Sequence, residues 1–213
     1  MQPIHSDLKA FYSGTDMSDG LAAIEKNNAA NIAKQAGRYD EAVRLHVEAV
    51  RLKVRLYGAD SVDAAFSYNM LGDALLAAGK LDKAAEALEF ALKVRDDVAF
   101  GGMGLGPRID AAASRDNMAR VLEAKGDFPA ARELRLKGAD KGHVICGCLK
   151  CVTPGGALLS RAQLKACGAC RSVFYCSTAC QKRDWKERHK PLCKKHQAAS
   201  SSSADAAGTA VPA

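Results

Sequence analysis

Apolar side chains recur every fourth residue along the middle of the chain. They occupy Val62, Phe66, Met70, Ala74 and Ala78, directly before Gly79. Beyond this glycine the spacing continues in steps of three and four through a second set, namely Leu81, Ala85, Leu88 and Leu92. Such spacing puts the apolar side chains on one face of an α-helix. The pattern therefore predicts two helices joined by a tight turn at Gly79.

The same unit recurs on either side of this hairpin. The short signatures AGRYDEA, AGKLDKA and KGDFPAA contain Gly37, Gly79 and Gly126, which are 42 and 47 residues apart. An alanine follows five residues after each glycine, and such small side chains let paired helices approach closely. Stacked hairpins bury one another's apolar faces, and about three units are needed for stability. Residues 21–140 are thus predicted to form an all-α solenoid of helical hairpins.

Cysteine positions and charge both mark a boundary near residue 140. All eight cysteines lie between Cys146 and Cys193. Residues 141–196 contain 12 Lys and Arg against 2 Asp and Glu, whereas residues 1–140 contain 19 against 21. We therefore predict a separate cysteine-rich domain over 141–196, a flexible N-terminus over 1–20 and a disordered Ala/Ser-rich tail over 197–213.

The cysteine spacing predicts metal binding. No secretory leader or membrane-spanning run is visible, which favours the cytoplasm or the nucleus, where thiols stay reduced. From Cys148 the pattern is C-x2-C-x15-C-x2-C-x5-C-x3-C-x8-H-x3-C, which supplies eight ligands for two closed tetrahedral zinc sites. A disulfide cage is less favoured because thiols stay reduced in those compartments. A catalytic thiol is less favoured because a closed zinc site leaves no thiolate free.

The hairpins resemble tetratricopeptide (TPR) repeats, in particular the long-period type of kinesin light chains. The resemblance rests on Leu71-Gly72, Leu75 and the series Gly79, Ala84, Leu88 and Ala91, and it covers residues 22–140. The outer units match less well, and Arg135 occupies an expected apolar position. In TPR domains the first helices line a groove. The resemblance implies peptide-binding amides there, for which the candidates are Asn27, Asn28, Asn69 and Asn117.

The segment SVFYCSTACQKRDWKERHKPLC resembles the MYND zinc finger. In that family the ligands interleave. The resemblance implies one zinc on Cys148, Cys151, Cys176 and Cys180 and a second on Cys167, Cys170, His189 and Cys193. Cys146 is one thiol too many and competes with Cys148 as the first ligand, although the C-x2-C turn favours Cys148. MYND fingers bind short proline-containing peptides, and the matching helix positions here are Gln181 and Trp185.

Together these features predict a non-enzymatic adaptor with two zinc ions, whose TPR groove and finger each bind a short peptide of a protein partner, in transcriptional or signalling regulation. No metalloprotease, hydrolase-elbow or P-loop motif occurs, and we expect neither a membrane nor a small-molecule substrate as ligand. Two alternatives stay open. One is a remnant of a SET-type lysine methyltransferase, and the other is a regulator that binds nucleic acid through its lysines and arginines.

Overall fold

A computed structural model describes residues 14–97, 109–151 and 158–207 of the chain. They divide into two compact units, Met1–Gly104 and Leu105–Ala213. The first unit contains two helical hairpins, formed by α1 (Gly14–Gln35) with α2 (Tyr39–Tyr57) and by α3 (Val62–Ala77) with α4 (Leu81–Arg95). No helix in the described ranges is both long and apolar enough to cross a membrane.

The turn of each predicted hairpin has the same geometry. At Gly79 the backbone has φ +73°, and Gly37 and Gly126 have φ +75° and +95°. The N–H after the glycine donates to the carbonyl five residues back, as in Lys80 to Leu75 at 2.9 Å, and the glycine N–H donates three residues back. This is the helix-ending arrangement in which a left-handed residue satisfies the last carbonyls, and glycine adopts it without strain. The predicted turns are confirmed.

Small residues bring the helices of each hairpin into contact. The alanine five residues after each turn glycine is fully buried at Ala42, Ala84 and Ala131. In the second hairpin, a Cβ on Gly72 would lie 2.5 Å from Leu88 Cγ. Only a residue without a side chain fits there, so α3 and α4 pack backbone against side chain.

The second unit joins the third hairpin to the cysteine-rich region. It begins with α5 (Ile109–Lys125) and α6 (Phe128–Leu136), followed by short 3₁₀ turns at Ala139–Lys141 and Arg161–Gln163. Strands β1 (Lys165–Ala166) and β2 (Phe174–Tyr175) pair antiparallel, with Lys165 opposite Tyr175. A continuous helix follows, made of α7 (Thr178–Asp184), a π-helical turn (Trp185–His189) and α8 (Lys190–Ala207).

The predicted boundaries shift at three places. The third hairpin lies in the same unit as the cysteine-rich region, so the division falls at residue 104 rather than 140. Residues 14–20, predicted to be flexible, belong to α1. The tail predicted to be disordered from residue 197 is helical to Ala207, as the end of α8. Residues 1–13 and 208–213 lie outside the described residues.

A buried ion network explains why the third hairpin belongs with the finger. Arg135 on α6 donates to Asp116 Oδ1 at 2.7 Å and Glu123 Oε1 at 2.5 Å, both on α5, and to the Ser172 carbonyl at 3.1 Å beside β2. Arg188 of the π turn reaches Glu123 Oε2 at 3.3 Å. Burial alone would raise the pKa of Glu123, but Arg135, Ser172 and Arg188 outweigh it and lower this pKa to about 2.

Sequence reasoning flagged Arg135 only as a mismatch with the repeat pattern, and it missed the partners of Arg135. The network crosses 12 to 65 positions of sequence, so no local pattern reveals it. Two further contacts tie the same parts together. Phe128 at the start of α6 stacks on His196 of α8 with 4.1 Å between ring centroids, and Arg132 donates to the Arg171 carbonyl at 2.7 Å.

Candidate metal centre

Four thiols converge in the first cluster. Their sulfur atoms all lie within 4.8 Å of one another and belong to Cys146, Cys151, Cys176 and Cys180. Three of the sulfur–sulfur distances are 3.6, 3.6 and 3.7 Å. A tetrahedral zinc with bonds of about 2.3 Å to sulfur requires edges of about 3.8 Å. The cluster therefore has the size and the donor set of a closed zinc site.

The structure corrects one predicted ligand, because Cys146 and not Cys148 completes this cluster. Cys148 is 96% buried in an apolar cluster with Val173 and Tyr175. The backbone of Cys148 contributes to the site instead. Burial raises the pKa of the Cys146 thiol, while the N–H groups of Cys176 and Cys148 donate hydrogen bonds to its sulfur and thereby lower this pKa. The C-x2-C rule failed here because Gly147 packs against Val173 and donates to the Phe174 carbonyl, which fixes the path of the chain between the two cysteines.

The second cluster contains the four predicted ligands. They are Cys167, Cys170, His189 and Cys193, again within 4.8 Å of one another. Cys170 Sγ lies 3.3 Å from His189 Nε2, and Cys167 Sγ lies 4.0 Å from Cys193 Sγ. A hydrogen bond from the Cys170 thiol, supported by His189 and by backbone N–H groups, lowers the pKa of Cys167 to about 3. The thiolate, the form that binds zinc, is thus favoured at Cys167, whereas the hydrogen bond to Cys167 raises the pKa of Cys170 and burial raises that of Cys193.

Local structure presents these ligands in interleaved order. Ser177 caps α7 by accepting the Cys180 N–H at 3.1 Å, which fixes Cys180 one turn after Cys176. The π turn then carries His189 to the second cluster, four residues before Cys193 on α8. Turns of this type insert a residue into a helix and are frequent at functional sites. One helix therefore serves both clusters.

Asp184 joins the π turn to the finger core. It is 97% buried and accepts from the Tyr175 hydroxyl at 2.7 Å and from Arg188 at 2.9 and 2.7 Å. Burial, together with this hydrogen bond and the negative charge of Asp184, raises the pKa of Tyr175. The metal-bearing helix, which consists of α7, the π turn and α8, is thereby held against β2 and, through Arg188, against Glu123 of α5. These contacts fix the helix in place and so orient its ligands, in addition to the bonds that the ligands make to metal.

The two predicted peptide contacts of the finger lie on this helix. Gln181 and Trp185 are both half-buried and one turn apart. The Trp185 ring meets His189 edge-on with 5.9 Å between centroids, and it packs against the cysteine core. The Gln181 side-chain amide has no hydrogen-bond partner within the described part of the chain.

The predicted groove asparagines do not form a common set. Asn27 is 95% buried, its amide nitrogen donating to Ser67 Oγ at 3.2 Å and its oxygen lying 2.9 Å from His46 Nδ1, so it stabilises the hairpin interior and cannot serve as an exposed amide. Asn69 is 93% buried. Asn117 is half-buried and accepts from Arg120, whereas Asn28 is exposed. Helical register decides this, because positions 27 and 28 point about 100° apart.

Two family models match the chain. Residues 21–97 match the tetratricopeptide repeat, and residues 146–193 match the MYND finger. The finger match begins at Cys146, in agreement with the first cluster. The two clusters and the finger together support two zinc ions as cofactors.

Three known proteins are similar to parts of this chain. Ubiquitin carboxyl-terminal hydrolase 19 of Arabidopsis thaliana is 46% identical over 46 residues, which are 22% of this chain and 7% of that protein. SET domain-containing protein 14 of Caenorhabditis elegans is 49% identical over 47 residues, which are 22% of this chain and 9% of that protein. The chain thus spans less than a tenth of these curated relatives.

The crystal structure of BtubC (BKLC) from P. vanneervenii aligns with a TM-score of 0.49 and 31% identity, over 56% of this chain and 48% of that one. The family matches rest on the two segments where the structure places helical hairpins and interleaved ligand clusters. The chain therefore combines a tetratricopeptide repeat region with a MYND finger.

Proposed function

We propose that this protein is a non-enzymatic adaptor whose finger binds a short proline-containing peptide of a protein partner. The observation that carries the proposal is the pairing of Trp185 and Gln181 on the helix that both metal clusters hold. Trp185 is half-buried and packs against the cysteine core, and Gln181, also half-buried, lies one helical turn before it.

This pair suits a peptide that contains proline. A tryptophan face offers wide apolar contact to a proline ring, and an amide supplies one donor and one acceptor to an extended backbone. The metal clusters and the Asp184 contacts fix the helix before a ligand arrives, so that little conformational entropy is lost on binding. The finger is thereby preorganised as a peptide site.

The TPR hairpins are proposed as the second protein-binding surface, in the cytoplasm or the nucleus and in transcriptional or signalling regulation. Asn28 is the predicted groove amide that is exposed in the first unit. It shares one face of α1 with two exposed apolar side chains, Ile24 and Ile32, at spacings of four residues. A face of mixed amide and apolar character fits a protein segment better than a small polar ligand.

The activities named in the two curated relatives are not part of the proposal. The similarity covers 46 or 47 residues of this chain, and TPR repeats and MYND fingers are interaction modules. In the described ranges, seven of the eight cysteines belong to the two candidate metal clusters, and Cys148 is buried. The described part of the chain therefore has no exposed cysteine that could act as a nucleophile.

Zinc stoichiometry and peptide binding together test this function. Native mass spectrometry of the wild type, Trp185→Ala and Gln181→Ala should show two zinc ions in each protein. Fluorescence anisotropy with a library of peptides that fixes two prolines should then show binding to the wild type and a loss of at least about tenfold in each variant.

Leu149→Ala is the matched control, because Leu149 is a large apolar residue of the same finger that is 61% exposed. It should keep both the zinc ions and the affinity. Two zinc ions without peptide binding by any protein would leave the finger a structural element and would refute the proposal.

A further inference from the structure

Four lysines form a row along the outside of the metal-bearing helix. They are Lys182, Lys186, Lys190 and Lys194, spaced four residues apart and all exposed. The opposite side of the helix carries the ligands Cys180, His189 and Cys193 and the buried Asp184. The helix therefore separates a metal-binding face from a cationic face.

The π turn keeps this row straight. In a regular α-helix each step of four residues overshoots a full turn by about 40°, so three steps would spread the lysines over about 120°. The π turn Trp185–His189 contains Lys186 and ends directly before Lys190, and its looser winding offsets part of this drift. The four ammonium groups thus stay on one stripe.

The row has no ion-pair partner among the described residues, in contrast to lysines elsewhere in the chain. Lys26, Lys53, Lys80 and Lys93 each contact a carboxylate at 2.6 to 3.0 Å. On the metal-bearing helix the two nearby acids are occupied, since Asp184 is buried with Arg188 and Glu187 contacts Lys150 at 3.1 Å. Like charges four residues apart destabilise a helix slightly, so a bound anion would relieve this repulsion.

The side chains beside the row favour an acidic protein segment over nucleic acid. Gln181 and Trp185 directly precede Lys182 and Lys186, so the proposed peptide site runs alongside the stripe. Base stacking along a strand requires several exposed aromatic faces, but Phe174 and Tyr175 are buried to 99% or more, which leaves the half-buried Trp185 alone. The row also consists of lysines, which act as point charges, rather than of the arginine forks that bind phosphate in two places.

We infer that the finger recognises a peptide with an Asp/Glu-rich flank, whose carboxylates bind Lys182, Lys186, Lys190 and Lys194 while its prolines contact Trp185. This inference rests on the proposed function, which supplies the peptide. It adds the charge of the partner, and it predicts affinity that falls as salt screens the exposed pairs.

The test uses two peptide libraries on the full zinc-loaded protein. Both fix the same two prolines, and their flanks consist of Glu in one library and Gln in the other. The variant K182Q/K186Q/K190Q/K194Q removes the row. The variant R51Q/K83Q/K141Q/K165Q removes the same charge from exposed positions elsewhere and serves as the control.

At low salt the wild type and the control should bind the Glu library about tenfold more tightly than the Gln library. This preference should vanish in the row variant and should shrink in 1 M salt. An unchanged preference in the row variant, no preference in the wild type, or tighter row-dependent binding of a single-stranded oligonucleotide of equal charge would each overturn the inference.

Trp185→Ala separates this inference from the proposed function. If Trp185→Ala loses binding to both libraries while the row variant binds as the wild type does, the peptide site is supported and the acidic flank is refuted. Binding of the Glu library that depends on the row but not on Trp185 would support the acidic surface and refute the proline site.

Discussion

The two compact units bury polar groups in different ways. In the first unit, the interior consists largely of alanine and leucine with a neutral trio of His46, Asn27 and Ser67. The buried charged residues described there are two cations, Lys53 and Arg95, and no carboxylate is buried with them. In the second unit, charged side chains are buried together, and two metal clusters lie beside them. Both units contain helical hairpins with the same turn, so the difference lies in what the hairpin packs against.

This difference shows how one repeat can serve two purposes. A hairpin that stacks on a like hairpin needs small apolar residues, and the first unit supplies them. The third hairpin binds a metal-dependent finger through Glu123 and Arg135, which a repeat of the standard pattern would not carry. We therefore expect the two units to respond differently to metal removal, to loss of one charge, to pH and to overpacking.

Removal of zinc should have the largest effect. Structural zinc contributes about 10–16 kcal/mol of folding free energy per site in finger peptides, so a chelator should unfold the finger and, through the buried network, α5 and α6. The helices α1 to α4 should remain. Hydrogen exchange with mass spectrometry measures both, and the fluorescence of Trp185, the single tryptophan, reports the second unit. Continued protection of α5 and α6 would show that the hairpin folds without the finger.

Loss of a single ligand should distinguish the two candidate thiols. Cys146→Ser removes a donor of the first cluster and should reduce the bound zinc from two ions to one in native mass spectrometry. Cys148→Ser is the matched control and should retain two, since Cys148 belongs to neither ligand cluster. The reverse result would restore the ligand predicted from the C-x2-C spacing.

Substitution of Arg135 by Met should cost about 3–5 kcal/mol in the second unit, because it leaves Glu123 and Asp116 buried without their cation. Urea unfolding followed by Trp185 fluorescence measures this loss. Lys150→Met, in the same unit, breaks an exposed pair with Glu187 and should change stability by less than about 1 kcal/mol. Equal small effects would show that the network does not couple hairpin and finger.

Acid should weaken the first unit through His46. Burial, with a contribution from Lys34, lowers the pKa of His46 to about 4 from 6.5, although Asp73 acts in the opposite direction. The unfolded chain therefore binds a proton first, and up to about 3 kcal/mol of stability is lost as the pH falls from 6.5 to 4. Hydrogen exchange of α1 and α2 across this range tests it. His46→Gln should flatten the dependence, and an unaltered slope would assign it to other groups.

Gly72→Ala should have the smallest effect, about 1–3 kcal/mol from overpacking against Leu88. Gly20→Ala is its control. Gly20 also lies in a helix of the first unit, but its added Cβ would meet only Tyr57 Oη at 3.6 Å, so this change should be neutral or slightly stabilising. Thermal unfolding by circular dichroism measures both. Equal stability of the two variants would mean that α3 and α4 separate without cost.

Local patterns were sufficient wherever the controlling interaction is short in sequence. The turns at Gly37, Gly79 and Gly126 depend on hydrogen bonds that reach back three to five residues, so the spacing of glycines and apolar residues predicted them. Turn and helix spacings also predicted Cys167, Cys170, His189 and Cys193 as ligands, and the resemblance to the MYND finger grouped them into one site. The groove prediction for Asn27 is wrong, because the burial of Asn27 depends on His46 and Ser67, which are 19 and 40 residues away and which no local pattern reveals.

The sequence by itself determined the helical hairpins and seven of the eight cluster ligands, because helix periodicity and the spacing of ligand pairs are properties of neighbouring residues. The resemblance to the MYND finger then divided these ligands between two zinc sites. Tertiary structure decided that Cys146 replaces Cys148, that the third hairpin belongs to the finger and that Asn27 is interior. Each of these outcomes depends on contacts between distant segments, such as Gly147 with Val173 and Arg135 with Ser172. Such contacts form only when the chain is folded, and they set which side chains are buried, paired or left for a partner.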